Sequence, residues 1–480
     1  MRFSVILRYV GTVMLCLSAF MAVSAGISFV SNDAGFYPLL LSALLTLLLG
    51  IFPMIFVPKA ENITTKEGFM IVVGSWLLAC VVGMFPYLIW GGEFSIVNAW
   101  FESVSGFTTT GASILKDIEA LPQGLLFWRT ATNWIGGVGV VMFALLILPS
   151  LGTNKMALSG IELSSLARDN YHYRTQTVVK ILLSIYIGLT IIFTVALKLA
   201  GMRWFDALNH AMSACATGGF STKNTSIGFY DSTLIEWILI VAMFLSSLHF
   251  GLIYSTLTRK ANNMFRSEVV RTYVAIIVAS ALFIGASLYF AGTYTNLLES
   301  MQQSAFQVVS LITTTGFATA DTNLWTPFAI VILIILSIIC GCAGSTSGGA
   351  KVDRVLLYFK VLVARLRGQQ HPNAIIRVRL DGMLQQEHQV NAVTLFLTTY
   401  FALILIGTLS STLFGLDLLT AFSSSVAFIG NVGPGFGEVG SLNNYAELPM
   451  LLKIQGSILM LMGRLEIFGF IQFMFIRMWR

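Results

Sequence analysis

The chain has 480 residues, of which 56% are hydrophobic and only 10% charged, and its mean hydropathy is +0.82. So much apolar surface cannot be hidden in a water-soluble core, which excludes a soluble fold and requires a multi-pass membrane protein. The formal net charge of +6 then reports topology, not binding to nucleic acid.

The first predicted span covers 9–30. It follows Arg2 and Arg8 and carries the small-residue run AVSAG towards its end, but its apolar stretch exceeds the core of a cleaved leader, so it reads as a membrane helix. A second span, 36–57, completes an N-terminal extension over 1–60. Four further pairs follow: 68–90 with 125–149, 177–200 with 233–257, 272–292 with 327–350, and 391–414 with 448–476. Each run is long enough to cross ~30 Å of hydrocarbon. Cys16, Cys80, Cys215, Cys340 and Cys342 have no metal-finger spacing and read as small packing residues.

Between the spans of each of these four pairs lies an uncharged, glycine-bearing elbow: FTTTGAS from Phe107, CATGGFST from Cys215, ITTTGFAT from Ile312 and GNVGPGFG from Gly430. Aligned on Gly111, Gly219, Gly316 and Gly433, the elbows are 108, 97 and 117 residues apart, which makes an internal fourfold repeat. Small residues recur twelve positions earlier (Ala99, Ala207, Ser304, Ala421) and six positions earlier (Ser105, Ser213, Ser310, Ala427). The repeats are expected over 61–160, 161–262, 263–385 and 386–480.

The stretches leading into the elbows are too apolar for ordinary loops. Irregular backbone at membrane depth is tolerated only against protein or water, so each unit is expected to be a re-entrant loop: a short helix descending partway, then a threonine/glycine segment returning. Four such loops around one axis would form a pore with a selectivity filter. The helix C-termini would favour a cation, carbonyls would replace its hydration shell, and glycine would reach the positive φ that inward-facing carbonyls demand. With no carboxylate in any elbow, such a site suits a monovalent ion better than Ca²⁺ or Mg²⁺. A single small-residue patch would more simply be a helix-packing face; four copies in register argue otherwise.

Charge placement sets orientation, since Lys and Arg are retained in the cytoplasm. With an inside N-terminus, 21 of the 28 lysines and arginines fall on the inner side, both termini are cytoplasmic, and all four elbows face outward.

The eighth span is interrupted by CGCAGSTSGGAK, Cys340 to Lys351, about 13 residues after Pro327. Gly341, Gly344, Gly348 and Gly349 with Ser345, Thr346 and Ser347 are poor material for a lipid-facing helix, so this stretch should sit below the filter, facing the pore. It is not a phosphate-binding loop, because Ala350 separates the last glycine from Lys351 and Val352 follows. Arg464, deep in the last span, should face protein or water; pairing with Glu466 and snorkelling are its structural alternatives. Arg129 and Asn133 form a polar patch with a structural role. The five histidines show no ligand spacing, and His210 occupies the place held by Glu102, Gln307 and Ser424 in the other repeats. Asn62-Ile-Thr64 and Asn224-Thr-Ser226 match glycosylation sequons, which a prokaryotic setting would make idle.

The elbows TTTGA, ATGGF, TTTGF and NVGPG in this repeat unit resemble the Trk/Ktr/HKT superfamily of potassium transporters over nearly the whole chain. The N-terminal pair of spans and GRLEIFGF at 463–470 make the chain most similar to the bacterial TrkH/TrkG branch. The resemblance implies an all-α polytopic fold with four covalently linked repeats around a pseudo-fourfold pore, a homodimer, and potassium uptake across the bacterial inner membrane. It implies a cytosolic TrkA-like nucleotide-binding ring as partner, with no ATP-hydrolysing motif and no organic cofactor in the chain itself. On both grounds the filter is assigned to Thr109, Thr110, Gly111, Thr217, Gly218, Gly219, Thr314, Thr315, Gly316, Asn431, Val432 and Gly433. The resemblance further makes Gly341 to Gly349 an obstruction beneath the filter and Arg464 a fixed charge beside the path. Glycine at 111, where related plant proteins use serine to favour sodium, points to potassium. Asn431 and Val432 depart from the threonine pair. The alternatives are a sodium-permeable or proton-coupled relative of the same fold; a membrane-embedded enzyme would need converging acids, histidines or a metal site.

Overall fold

The computed structural model describes residues 2–58, 63–150, 175–258, 264–371 and 377–474, of which 65, 140–150 and 175–179 are described by backbone alone. Lys59, Lys155, Arg168, Arg174, Arg259, Lys260, Arg477 and Arg480, among the inward charges, lie outside the described residues. So do Asn62 and the first three expected repeat boundaries.

Helices α1 (Phe3–Val30) and α2 (Phe36–Phe56) form the N-terminal pair. They approach closely at Gly11 and Gly50, where a Cβ on either residue would meet the other's carbonyl oxygen at 2.8 or 2.9 Å. Small residues of this kind let membrane helices pack backbone to backbone. Leu41, Leu44, Leu48 and Phe52 on the outer side of α2 are exposed, as lipid contact requires.

The first repeat comprises α3 (Thr65–Gly83), α4 (Phe85–Trp90), the short helix α5 (Ile96–Phe107) and α6 (Gln123–Ser150). The second contains α7 (Thr175–Leu199), α8 (Trp204–Ala216), α9 (Thr233–Ser246) and α10 (Phe250–Leu257). The third contains α11 (Glu268–Phe290), α12 (Leu297–Ile312), α13 (Pro327–Ile339) and α14 (Val352–Gln370), followed by a small antiparallel hairpin, Arg379–Leu380 with Met383–Leu384. The fourth contains α15 (Glu387–Leu413), α16 (Leu418–Gly430), α17 (Met450–Arg464) and α18 (Phe468–Met474). The fold is therefore an all-α polytopic one with four linked repeats and two extra N-terminal helices. Its last expected boundary falls at Gln386, which caps α15.

The re-entrant helices α5, α8, α12 and α16 have 12, 13, 16 and 13 residues. At 1.5 Å per residue they reach only partway through ~30 Å of hydrocarbon. Three begin on side chains that accept a first-turn N–H: Ser95, Asn296 and Asp417. The fourth, α8, has no such cap but carries Asp206 in its first turn, where a negative charge suits the helix dipole. Each packs between the two spans of its own repeat and against the second span of the preceding one: α5 on α17, α8 on α6, α12 on α9 and α16 on α13. This cyclic pattern closes the four repeats into a ring.

Besides the span 68–90, which turns at Met84 between α3 and α4, three of the described spans differ from continuous helices. α13 is 13 residues long and stops at Cys340, as its glycine-rich sequel dictates. The predicted span 233–257 is broken between α9 and α10 with a bend of 101°, and the last span is broken between α17 and α18 with a bend of 114°. The first of these breaks falls at Ser246-Ser247-Leu248-His249, a short polar dip in an otherwise apolar run. Its cause is tertiary, since the carbonyls freed at Ser246 and Ser247 accept hydrogen bonds from Thr346 and Cys342 of the loop after α13.

Candidate functional site

All four elbows begin in the same way. The re-entrant helix ends when Thr109, Thr217, Thr314 or Asn431 turns to φ of 52°, 53°, 60° or 53°. That residue's N–H bonds to the carbonyl three residues back (Gly106, Ala214, Leu311, Phe428), and the next residue's N–H bonds to the carbonyl five back (Ser105, Ser213, Ser310, Ala427). This double closure is the Schellman pattern of a helix C-terminus. The small residues six before each glycine are its acceptors. Sequence reasoning reserved positive φ for glycine; here the left-handed position is held by threonine three times and asparagine once, a conformation that β-branched residues rarely adopt.

Glycine occupies the second left-handed position, two residues later: Gly111, Gly219, Gly316 and Gly433 at φ of 81°, 77°, 77° and 98°. It is enforced twice over. A Cβ on Gly111 would lie 2.2 Å from the Gly218 carbonyl oxygen, on Gly219 2.1 Å from that of Thr315, on Gly316 2.3 Å from that of Val432, and on Gly433 2.5 Å from that of Thr110. The contacts run first repeat to second, second to third, third to fourth and fourth back to first. All twelve residues assigned to the filter thus meet in one closed ring.

Side chains brace the ring. Thr108 Oγ1 lies 2.7 Å from Thr110 Oγ1, and Thr313 Oγ1 lies 2.8 Å from Thr315 Oγ1. Asn431 Nδ2 donates to Thr110 Oγ1 and to the Met460 carbonyl, both at 3.0 Å, tying the divergent fourth wall to the first. Thr109 Oγ1 is buried without a hydrogen-bond partner among the described residues, which fits a hydroxyl available to a cation. Above the ring, Gly111, Gly219, Gly316 and Gly433 floor an open cavity of about 80 Å³, also lined by Arg129, Lys223 and Asn443.

Behind the ring, Glu102, His210 and Gln307, at equivalent places in their helices, reach the segment beyond the glycine. Glu102 accepts from Ile114 N at 3.0 Å, a ring nitrogen of His210 lies 2.9 Å from Ser221 Oγ, and Gln307 donates to Thr319 Oγ1 at 3.3 Å. In the fourth repeat the neighbouring Ser423, not Ser424, takes this role by accepting from Phe436 N at 2.8 Å. Glu102 also pairs with Arg129. Sequence reasoning missed that pair, although two opposite charges within the apolar part of one repeat were its signal.

The loop after α13 lies directly beneath the ring, with Ser345, Thr346 and Ser347 buried. Gly348 N donates to Thr314 Oγ1 at 3.1 Å, and Thr346 Oγ1 donates to the Cys215 carbonyl at the end of α8 at 3.0 Å. A Cβ on Gly348 would meet the Gly430 carbonyl oxygen at 2.4 Å, one on Gly341 would meet Ser347 Oγ at 2.4 Å, and one on Gly349 would meet Cys340 Sγ at 2.1 Å. Gly344, at φ 74°, leaves room for the His249 ring. Arg464 donates to the Thr346 carbonyl at 2.8 Å and to the Gly136 carbonyl at 3.2 Å, while Glu466 pairs with Lys351 at 2.9 Å and Arg354 at 2.6 Å. Arg464 therefore holds the loop through its backbone. Asp353, at the start of α14, accepts from Ala343 N at 2.7 Å; burial pushes its carboxyl up to about 6, against the downward pull of that hydrogen bond.

The TrkH family, described as a cation transport protein, matches residues 49–478. The chain is 34% identical to the Trk system potassium uptake protein TrkH of Escherichia coli strain K12, over 100% of both proteins. It is also 34% identical to TrkG of that strain, over 85% of this chain and 84% of that protein. Among solved structures, the crystal structure of the potassium transporter TrkH from Vibrio parahaemolyticus matches with a TM-score of 0.90 at 32% identity, covering 100% of each chain. Matched along most of its length by one family and over its whole length by relatives above 30% identity, the chain belongs to the TrkH family of cation transport proteins.

Proposed function

We propose that this chain is a channel-like potassium transporter, with Thr109 to Gly111, Thr217 to Gly219, Thr314 to Gly316 and Asn431 to Gly433 as its selectivity filter. The observation that carries this reading is the closed ring, in which each glycine lies against the carbonyl of the next repeat. Four helix C-termini converge on that ring, and their partial negative charges favour a cation there. None of the four elbows carries a carboxylate, so in this reading the site is built from dipoles and suits a monovalent ion. The relatives named as potassium uptake proteins support potassium as the ion carried, and transport, not a chemical transformation, is the activity.

In this reading the loop from Gly341 to Gly349 is a gate, held under the filter by Arg464. Uptake runs down the membrane potential, ~2.3 kcal/mol per charge per 100 mV, across the bacterial inner membrane. Both termini are cytoplasmic, and the repeat units run over 61–160, 161–262, 263–385 and 386–480. Two copies form a homodimer, and a TrkA-like nucleotide-binding ring meets the inner face, where Arg365 and Arg367 of α14 are exposed.

The test is Gly111→Ser in proteoliposomes with potassium, rubidium and sodium fluxes. A serine Cβ cannot sit 2.2 Å from the Gly218 oxygen, so the first wall must shift and discrimination against sodium should fall. Unchanged selectivity in the folded variant removes the filter assignment.

A further inference from the structure

Arg129 is 1% exposed and Glu102 is fully buried. The guanidinium Nε and Nη2 both lie 2.8 Å from Glu102 Oε1. Nη2 also donates to Ser113 Oγ at 3.1 Å, and Nη1 donates to the Ser221 carbonyl at 3.3 Å. The face of the guanidinium rests 4.1 Å from the centre of the Phe220 ring. Glu102 in turn accepts from Ser113 Oγ and from Ile114 N, each at 3.0 Å.

These partners are placed with respect to the ring. Ser113 and Ile114 follow Gly111 by two and three residues, and Phe220 and Ser221 follow Gly219 by one and two. One ion pair therefore grips the outgoing segments of both the first and second walls. It does so immediately beyond the seam where Gly111 meets the Gly218 carbonyl. The third and fourth walls are braced by neutral groups, Gln307 on Thr319 and Ser423 on Phe436 N, while the second is also held by His210 on Ser221 Oγ and Asp206 on Thr222 Oγ1. A planar fork with fixed donor directions specifies geometry in a way a point charge cannot.

We propose that Glu102 and Arg129 are specificity-determining positioning residues: by fixing the separation of the first and second filter walls, the pair sets discrimination between potassium and smaller monovalent cations. This inference rests on the filter reading above. Neither residue needs to touch the ion.

The experiment compares Arg129→Lys with the unaltered full-length protein in proteoliposomes, reading the potassium-to-sodium flux ratio with thermal melting as the measure of folding. Lysine keeps the charge and loses the fork, so the ratio should fall about tenfold, the scale of one lost charge-assisted hydrogen bond, without loss of the folded state. Glu102→Gln should lower potassium flux itself, because it leaves an uncompensated cation beside the path. If Arg129→Lys does not assemble, Ser113→Ala, which removes one shared partner, carries the test with a smaller fall in the same ratio. A folded Arg129→Lys, or failing that a folded Ser113→Ala, with the original ratio overturns the inference. Gly111→Ser, run in parallel, separates the two readings: if it alone moves the ratio, only this inference fails, and if neither variant moves it, the filter reading falls as well.

Discussion

Buried Asp353 accepts from the backbone of the loop after α13, and the sign of its linkage can be worked out. Its carboxyl titrates near 6 in the folded protein against an ordinary 3.8, so the folded state holds the proton more tightly than the unfolded one. The stabilising effect of that proton is fully present below pH ~4 and is lost as pH rises to ~6, a change of about 3 kcal/mol. Asparagine keeps an acceptor for Ala343 N without the charge. Asp353→Asn should therefore melt progressively higher than the unaltered protein from pH 4 to 6.5 and hold that margin above it; a margin independent of pH would contradict the assignment. At this scale the sequence was legible where chemistry repeats and opaque where conformation overrides propensity. The four glycines stood out by period, and their need for positive φ followed from elementary sterics. The left-handed turns at Thr109, Thr217 and Thr314 could not be read, because threonine ordinarily avoids them. They are imposed by the helix-end hydrogen bonds and by packing from the adjoining repeats.

Among the elements, α5, α8, α12 and α16 were readable because small residues recur at fixed offsets before each elbow and because a short apolar stretch beside polar backbone needs protein around it. The length of α13 was equally plain from the run between Pro327 and the glycines. The break between α9 and α10 was hidden, since Ser246, Ser247 and His249 only dent an apolar run that stays long enough to cross, and nothing local shows whether its carbonyls bond within the helix or are passed to a distant loop. That loop is shaped to its seat. Gly348 faces the Gly430 carbonyl oxygen with 2.4 Å for any added Cβ, so Gly348→Ala cannot occupy this position. It should lift the loop away from α16 and raise potassium efflux from loaded liposomes severalfold, an effect of roughly 1 kcal/mol. Efflux at or below the original rate would show that the loop does not obstruct the path. Arg464 was expected near protein or water, but its actual role, two carbonyls on different elements, depends on a fold that no local pattern encodes.

For the molecule as a whole, the proposed filter would bind an ion only when all four walls are assembled, which would couple occupancy to global stability. Potassium should raise the melting temperature above that in sodium at equal ionic strength, by up to about 2.7 kcal/mol of stabilisation at a hundredfold excess over its dissociation constant. Identical melting in the two salts would speak against a potassium-selective ring. Fourfold architecture was visible in the sequence as a period; the order of its contacts was not, because periodicity counts units without saying which neighbours touch.

That order has a consequence for biosynthesis. Three of the seams join repeats that follow one another along the polypeptide, but the one between Gly433 and Thr110, with Asn431 on Thr110 and Lys453 on Asn98, brings together residues more than three hundred positions apart. Contacts of such long range form late. A growing chain with three repeats therefore has an open perimeter, and under the proposed reading no conducting path can exist until the fourth repeat has been made and has closed on the first.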